Sequence, residues 1–284
     1  MIGRGAYGTV YEGINKKNRE HVAVKVADQQ DLLDAARREA ENMNNVMDHP
    51  NVVPIKDFWE DEEDLPSGKR KTVNIVMPMA KQNLREYVNS IKDKKKLFDG
   101  GGGEESAKKA FQEQTGGKAL LELTKMLLRG LLHLHDSSPT VVHRDLKPEN
   151  VLVFEEGGGA NVLKIGDFGI SKILREMPST GTDCGTSTYK APEVKEGGEY
   201  RKEVDVWSLG LVLYFLLTGE DRFRNRSEVL AFNDNTQLFR THTRIFHGEE
   251  VAQVELLVKQ MINPEPKARI FLEKALREIE MPGT

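Results

Sequence analysis

One segment, residues 143–150, constrains this chain more than any other, because it concentrates charged and titratable side chains in a single stretch. It reads His143-Arg144-Asp145-Leu146-Lys147-Pro148-Glu149-Asn150. A loop that only connects two elements needs no such density of acidic, basic and amide groups, whereas loops held by a rigid scaffold often carry function. The segment therefore predicts a catalytic or binding loop.

A second acidic motif follows the first along the chain. Asp167-Phe168-Gly169 begins 17 residues after Asn150, directly behind the apolar strand predicted for residues 162–165. Asn150 and Asp167 would bring an amide and a carboxylate oxygen from neighbouring loops. These ligands suit a hard cation that keeps waters and phosphate oxygens in its coordination shell. We therefore expect a divalent cation beside a phosphate group.

A glycine-rich stretch near the start carries Gly3, Gly5 and Gly8. Glycines let backbone N–H groups approach phosphate oxygens that a Cβ atom would push away. A dinucleotide site would need a helix directly after the loop. Here a second strand follows, and it carries Lys25 between apolar residues. The pattern favours a phosphate-binding hairpin, although taken alone it is also typical of a plain turn.

Lys25 has a candidate partner downstream. A lone lysine in a strand usually lies on the surface. Glu39, however, shares the apolar face of the helix predicted over residues 31–47 with Leu32 and Met43. A carboxylate on an inward face needs a cation, and Lys25 is the upstream candidate. The alternative is that Glu39 lies at the edge of an amphipathic helix.

In order and spacing, these motifs resemble the eukaryotic protein kinase catalytic domain from end to end. Lys147 together with Thr186 resembles the serine/threonine branch. The resemblance implies a bilobal α+β fold, with a small β-rich N-lobe containing one helix and a larger, mainly helical C-lobe. We expect the N-lobe over residues 1–77, the hinge over 78–82 and the C-lobe over 83–284. Because Met1 lies only two residues before the glycine loop, we expect the front of the first strand to be missing.

The resemblance also implies ATP and Mg²⁺ as cofactors and assigns residues to each. Catalytic roles fall on Asp145, Lys25, Lys147 and Asn150, and the metal ligands are Asn150 and Asp167. The ATP contacts are Ile2, Gly3, Gly5, Gly8, Val10, Ala23, Lys25, Met77, Pro78, Ala80 and Leu152. Asn83 falls near the position that an acidic ribose ligand often fills.

Structural and regulatory roles follow in the same way for Glu39, His143, Arg144, Phe168, Gly169, Thr182, Thr186, Glu193, Asp205 and Arg269. Asp205 would brace the backbone of the catalytic loop, and Arg269 would pair with Glu193. Phosphorylated Thr182 would bind Arg144 and raise activity, with Thr180 and Ser179 as rival sites. The implied partners are protein substrates bearing Ser or Thr, and either an upstream activating kinase or a second copy acting in trans.

Hydrophobic patterning predicts the remaining elements. We expect a hairpin over residues 10–26, a buried helix over 204–217 and closing helices over 251–262 and 272–279. Two segments fit no function. Residues 60–71 are predicted to be an exposed loop, and residues 97–118 a flexible insertion rich in glycine and charge.

Composition excludes several classes of protein. Lys and Arg number 41 against 45 Asp and Glu, a net charge of -4, so a general affinity for nucleic acid is not expected. No apolar run reaches the ~18 residues of a membrane span, and no membrane segment is expected. The one cysteine, Cys184, excludes an intramolecular disulfide and fits a reducing compartment, so we expect an intracellular, cytoplasmic protein.

Two other functions remain open from the sequence. A pseudokinase or scaffold would bind nucleotide or partners without catalysis, but such proteins usually lose the equivalents of Lys25, Asp145 or Asp167, and all three are present. A small-molecule kinase is disfavoured by residues 185–193, which in the family form a peptide-binding shelf. Glu149 occurs at a peptide-contact position in kinases that select basic substrates, yet it is common elsewhere, so substrate preference stays open.

Overall fold

The computed structural model describes residues 1–5, 8–28, 33, 48–65, 68–138, 140–157, 159–167, 188–194, 201–234, 236, 238–239 and 244–281. These residues form two β-sheets followed or flanked by seven helices. The larger sheet lies entirely in the first 78 residues, and most helices come after it. The predicted fold class, α+β with a β-rich N-lobe and a helical C-lobe, is confirmed.

The N-terminal sheet has five antiparallel strands in the order β1-β2-β3-β5-β4. The strands are β1 (Gly3–Gly5), β2 (Gly8–Ile14), β3 (His21–Ala27), β4 (Asp57–Leu65) and β5 (Gly68–Pro78). A small core on this sheet joins Ala27, Val73 and Ile75 to Leu33. Apart from Leu33, the helix predicted over residues 31–47 lies outside the described residues.

The expected loop over residues 60–71 is wrong, because the charged residues lie within strands β4 and β5. The two strands pair across their whole length, with Glu62 opposite Lys71 and Glu63 opposite Arg70. Lys69 and Lys71 both form salt bridges to Glu62. Opposite charges facing each other across an antiparallel pair stabilise the ladder. The acidic run on β4 and the basic run on β5 therefore form a solvated hairpin, and the expected exposure is confirmed.

Helix α1 (Leu84–Asp99) begins at Asn83, whose side chain accepts the backbone N–H of Glu86 at 3.0 Å. Glu86 returns a bond to the Asn83 N–H, which completes a capping box. The expected flexible insertion contains a second helix, α2 (Glu105–Gln114). Its Phe111 contacts Phe98 of α1 edge to face, with 5.1 Å between ring centroids. This aromatic contact gives a polar segment one anchored face.

The remaining helices build the large core. They are α3 (Gly117–Asp136), α4 (Glu203–Thr218), α5 (Arg226–Ala231), α6 (Glu250–Met261) and α7 (Leu272–Glu280). Residues 204–218 of α4 are all buried, so this helix forms the centre of the lobe. The predicted buried helix and both closing helices are confirmed. No helix within the described ranges is long and apolar enough to cross a membrane.

A second sheet has three strands, all of which come after the N-terminal sheet along the chain. It consists of β6 (Gln82–Asn83), β7 (Val151–Glu156) and β8 (Ala160–Ile165), in that order. Strand β6 follows the end of β5 after three residues, while β7 and β8 connect the two motifs that the sequence analysis singled out. The sheet thus brings the chain leaving the N-terminal sheet beside the catalytic loop and Asp167.

Candidate active site

The backbone of the catalytic loop is held by a carboxylate from the core helix α4. Asp205 is fully buried and accepts the main-chain N–H groups of His143 and Arg144, each at 2.7 Å. His135, at the end of α3, adds a third bond through Nε2 at 2.9 Å. Arg144 adopts a left-handed backbone conformation, with φ of 70°. The loop therefore takes an uncommon geometry that a buried side chain stabilises.

Asp145 lies at the centre of a local network made by its own loop. Lys147 places Nζ 3.0 Å from Oδ2 of Asp145. The Asn150 amide nitrogen donates to the Asp145 carbonyl at 2.7 Å and to Oδ2 at 3.1 Å. A 3₁₀ turn over Pro148–Asn150 gives this short spacing. The carboxylate is thus oriented by a cation and an amide at once.

The second motif is tied to the first through the backbone. Gly166 donates its N–H to the Asn150 carbonyl at 2.8 Å, and its own carbonyl lies 3.0 Å from Nε2 of the buried His143. Asp167 then takes a left-handed conformation, with φ of 59°. These bonds place Asp167 beside the catalytic loop.

Lys25 contacts Asp167 through a salt bridge from Nζ to Oδ1, although 142 residues separate the two. Desolvation raises the pKa of the Asp167 carboxyl, but the ammonium of Lys25 outweighs it, so this pKa lies below its ordinary value. Asp167 is therefore ionised at neutral pH. The expected pairing of Lys25 with Glu39 is not tested, because Glu39 lies outside the described residues.

The glycine hairpin shows where a side chain is not tolerated. Gly8 has φ of 142°, and a Cβ there would lie 2.3 Å from the Val26 carbonyl oxygen. Only glycine fits this position, because both the backbone conformation and the space exclude a side chain. Gly3 and Gly5 lie opposite Val10 and Gly8 in the β1–β2 pair. A Cβ on Gly3 would meet nothing within 4 Å, so its side of the strand is open.

The predicted adenine contacts lie on or next to strands of the two sheets. In the strand registers, Val10 lies opposite Lys25 and Ala23 opposite Met77. Lys81 donates its N–H to the Val153 carbonyl at 3.0 Å, which ties the segment after Met77 to strand β7. Of the other predicted members, Ile2 precedes β1, Pro78 ends β5, Ala80 precedes β6 and Leu152 lies on β7. Asn83, expected near a ribose ligand, caps α1.

Two predicted scaffold residues, Arg269 and Glu193, meet in the structure. Arg269 binds Glu193 through two parallel bonds of 2.6 and 2.8 Å, and its guanidinium also donates to the carbonyls of Asn263 and Glu203. The predicted Arg269–Glu193 pair is therefore present in the structure. A bidentate pair of this kind fixes geometry more than it adds stability. The remaining predicted residues, Glu39, Phe168, Gly169, Thr182 and Thr186, lie outside the described residues, as do Thr180 and Ser179.

Sequence reasoning missed several polar contacts around the site. Arg226 donates to four carbonyls, those of residues 190, 191, 192 and 194. Arg85 binds both Glu149 and Asp221. Neither contact has a local signal, because each joins residues more than 30 positions apart.

Comparison with known proteins agrees with this geometry. A family profile described as "Protein kinase domain" matches residues 1–279. A probable myosin light chain kinase of Dictyostelium discoideum is 33% identical over 81% of this chain and 58% of its own length. The DNA damage response protein kinase DUN1 of Saccharomyces cerevisiae is 33% identical over 79% of this chain and 43% of its own length.

The CBL-interacting serine/threonine-protein kinase 20 of Arabidopsis thaliana is 33% identical over 97% of this chain and 56% of its own length. The chain therefore spans about half the length of the curated relatives it matches. The family profile extends over almost every residue, and the Arabidopsis relative is a serine/threonine-protein kinase by its name. By the family profile, the chain belongs to the protein kinase domain family.

Proposed function

We propose that the protein transfers the γ-phosphate of ATP to serine and threonine hydroxyls of protein substrates. The observation that carries this proposal is the convergence of Asp145, Lys147 and Asn150 on one loop with the Lys25–Asp167 pair beside it. Phosphoryl transfer requires positioning and charge neutralisation more than covalent catalysis, and this set of residues supplies both.

Asp145 orients the attacking hydroxyl. An oxygen–phosphorus bond forms to the substrate hydroxyl while the bond between the γ-phosphorus and the bridging oxygen of ATP breaks. The hydroxyl proton passes to the Asp145 carboxylate. Because a carboxylate is a weak base, orientation is its main contribution and the proton moves late. Lys147, 3.0 Å from the same carboxylate, stabilises the negative charge that develops on the transferred group.

Lys25 and the glycine hairpin hold the phosphates. The Lys25 ammonium neutralises charge on the phosphates nearest the adenosine, and the backbone around Gly3, Gly5 and Gly8 approaches the phosphate oxygens. The open space beside Gly3, where a Cβ would meet nothing within 4 Å, supports this role. We place the adenine between Val10, Ala23 and Leu152, with Ile2, Met77, Pro78 and Ala80 completing its site and residues 78–82 forming the hinge between lobes over 1–77 and 83–284.

Protein kinases use Mg²⁺ with ATP. Asn150 and Asp167 fit this ion: the Asn150 amide nitrogen is engaged by Asp145, which turns its oxygen away from that residue, and Asp167 is ionised. When bound, the ion neutralises phosphate charge. The two residues would hold it between the catalytic loop and the end of β8.

Activation is proposed to pass through Arg144. This cation precedes Asp145 directly, and its backbone is held by Asp205. A phosphate on Thr182 would bind the guanidinium and raise activity. The phosphate would come from an upstream kinase or from a second copy of the chain acting in trans.

The decisive experiment compares the wild type with Asp145→Asn, using Mg²⁺ and ATP and a generic protein substrate, with phosphosites read by mass spectrometry. Asp99→Asn, an exposed site at the end of α1, is the matched control. We expect phosphoserine and phosphothreonine with the wild type and the control only. ATP binding without transfer by a folded wild type that is phosphorylated at Thr182 would instead indicate a scaffold that binds nucleotide without catalysis.

A further inference from the structure

An arginine of helix α1 neutralises the exposed carboxylates beside the catalytic loop. Arg85 binds Glu149 through Nε, and its two terminal nitrogens lie 3.0 and 3.1 Å from the carboxylate oxygens of Asp221. Tyr189 closes the network, with its hydroxyl donating to Asp221 at 2.5 Å. One guanidinium therefore satisfies two carboxylates that come from different parts of the chain.

The position of Glu149 makes this network relevant to substrate binding. Glu149 precedes Asn150 and follows Asp145 by four residues in the same loop. A peptide whose hydroxyl reaches Asp145 must run past this loop, so it meets whatever charge the loop presents. The side chains of Glu149 and Asp221 are 41% and 43% exposed, respectively. Without Arg85, both carboxylates would face such a peptide.

Arg85 is held firmly enough that a substrate cation would not readily displace it. Its guanidinium lies 4.5 Å from the centre of the Phe215 ring, and its side chain is only 28% exposed. Desolvation lowers the pKa of Arg85, but the hydrogen bond to Asp221 and the charges of Tyr189, Glu149 and Asp221 outweigh desolvation. The pKa therefore lies above its ordinary value, and the guanidinium keeps its charge. A planar fork bonded on two sides and stacked on a ring loses little further entropy on forming these bonds.

A second cation of helix α1, Lys92, pairs with a neighbouring carboxylate, Glu220. Lys92 donates to Glu220 at 2.7 Å and to the Gly219 carbonyl at 2.9 Å. Cations of α1 thus neutralise Glu149, Asp221 and Glu220. A substrate arginine arriving at Glu149 and Asp221 would find both carboxylates occupied by Arg85 and a like charge in place, which disfavours binding.

We propose that Arg85 fills, from within the chain, the site that Glu149 and Asp221 would otherwise offer to a basic side chain of the substrate. The inference rests on the proposed kinase activity and names its substrate class: serine and threonine sites without a required basic residue next to this loop. Arg85 is a specificity-determining residue that acts through Glu149 and Asp221.

The test uses the full chain and a peptide with a phosphoacceptor serine and neutral flanks. Companion peptides carry a single arginine at each flanking position. For the wild type, we expect kcat/KM to change little across the set. For Arg85→Gln, we expect arginine at one or more positions to raise kcat/KM about tenfold over the neutral peptide, chiefly through KM, because a charge-assisted bond becomes available.

Two further variants make the result specific. Lys92→Gln removes a cation from the same helix without touching Glu149, and it should leave the arginine profile unchanged. Arg85→Gln combined with Glu149→Gln should reduce the gain. An Arg85→Gln enzyme that is active but shows the wild-type profile overturns the inference.

Glu149→Gln alone provides a second route if Arg85→Gln does not fold. Since Arg85 already occupies Glu149, this variant should show the same arginine profile as the wild type. A wild type that prefers arginine peptides and loses that preference with Glu149→Gln contradicts the inference while leaving the kinase activity intact. A wild type that phosphorylates no peptide, neutral or basic, contradicts the proposed function, and the inference falls with it.

Discussion

Asp205 accepts the backbone N–H of His143 through a 2.7 Å hydrogen bond, although 62 residues separate them. The carboxylate comes from the most buried helix, and the N–H belongs to the loop that carries Asp145. A charge buried without such bonds would be strongly unfavourable. The core and the catalytic loop are therefore coupled, and a change at Asp205 should affect both stability and activity.

Asp205→Asn should destabilise the fold by about 3 kcal/mol, because an amide cannot accept from His143, Arg144 and His135 together and leaves a buried N–H group unpaired. We expect a lower urea midpoint and reduced kcat, measured on the same preparation. Asp99→Asn, an exposed carboxylate, is the control and should change neither. A variant with wild-type stability would contradict the bracing role.

Stability should fall in acid in a way that depends on Asp205. Burial raises the pKa of this carboxyl, but the bond from His135 and the charges of His135 and His143 outweigh burial, so the pKa lies below its ordinary value. A lowered pKa means that the ionised carboxylate stabilises the folded state. That stabilisation is complete above the unfolded pKa of about 3.9 and is lost as pH falls through the folded pKa.

Urea midpoints measured between neutral pH and about pH 3 test this dependence. We expect the wild type to lose stability steeply below about pH 4. Asp205→Asn should lose stability less steeply over the same range, since it has no carboxylate to protonate there. Equal slopes for the two proteins would assign the acid sensitivity to other groups.

Lys25→Met should abolish transfer with little effect on folding. The lysine side chain is 12% exposed and contacts Asp167, so its loss removes the cation that lowers the Asp167 pKa. We expect kcat/KM to fall by at least about 100-fold, in line with the loss of a preorganised charge. Lys56→Met, which removes a surface pair with Glu20, is the matched control. Phosphate incorporation and thermal unfolding distinguish a catalytic from a structural defect.

Gly130→Ala should destabilise the protein, against the usual trend in helices. Alanine normally stabilises a helix by ~1 kcal/mol relative to glycine. Here a Cβ on Gly130 would lie 2.6 Å from the Asn51 carbonyl oxygen, which accepts the Ile165 N–H at 2.9 Å. Overpacking against this backbone should cost about 1–3 kcal/mol before the helical gain is counted. Thermal unfolding of the wild type, Gly130→Ala and the control Gln112→Ala, at an exposed helical site, compares their unfolding temperatures. We expect the midpoint to fall for Gly130→Ala only.

The charged residues 60–71 show where sequence reasoning failed. Their apolar content is too low for a period-2 pattern, so the sequence predicts a loop. In the structure, Glu62 on β4 lies opposite Lys71 on β5. The segment is therefore stabilised by charge pairs between two strands, and a search for apolar periodicity within one strand does not detect them. The helix α2 was missed for a related reason, because its anchor is the contact of Phe111 with Phe98 in another helix.

The sequence by itself determined the family, the catalytic loop and the buried helix α4, because each motif that identifies them is a short run of neighbouring residues. Short-range spacing was enough to group Asp145 with Lys147 and Asn150. The bracing of the loop backbone by Asp205 was implied by the family resemblance, and its hydrogen bonds are present in the structure. Only the tertiary structure decided that Lys25 contacts Asp167 and that Arg85 occupies Glu149. Those two contacts join residues 142 and 64 positions apart, and their charges reveal no partner until packing brings them together.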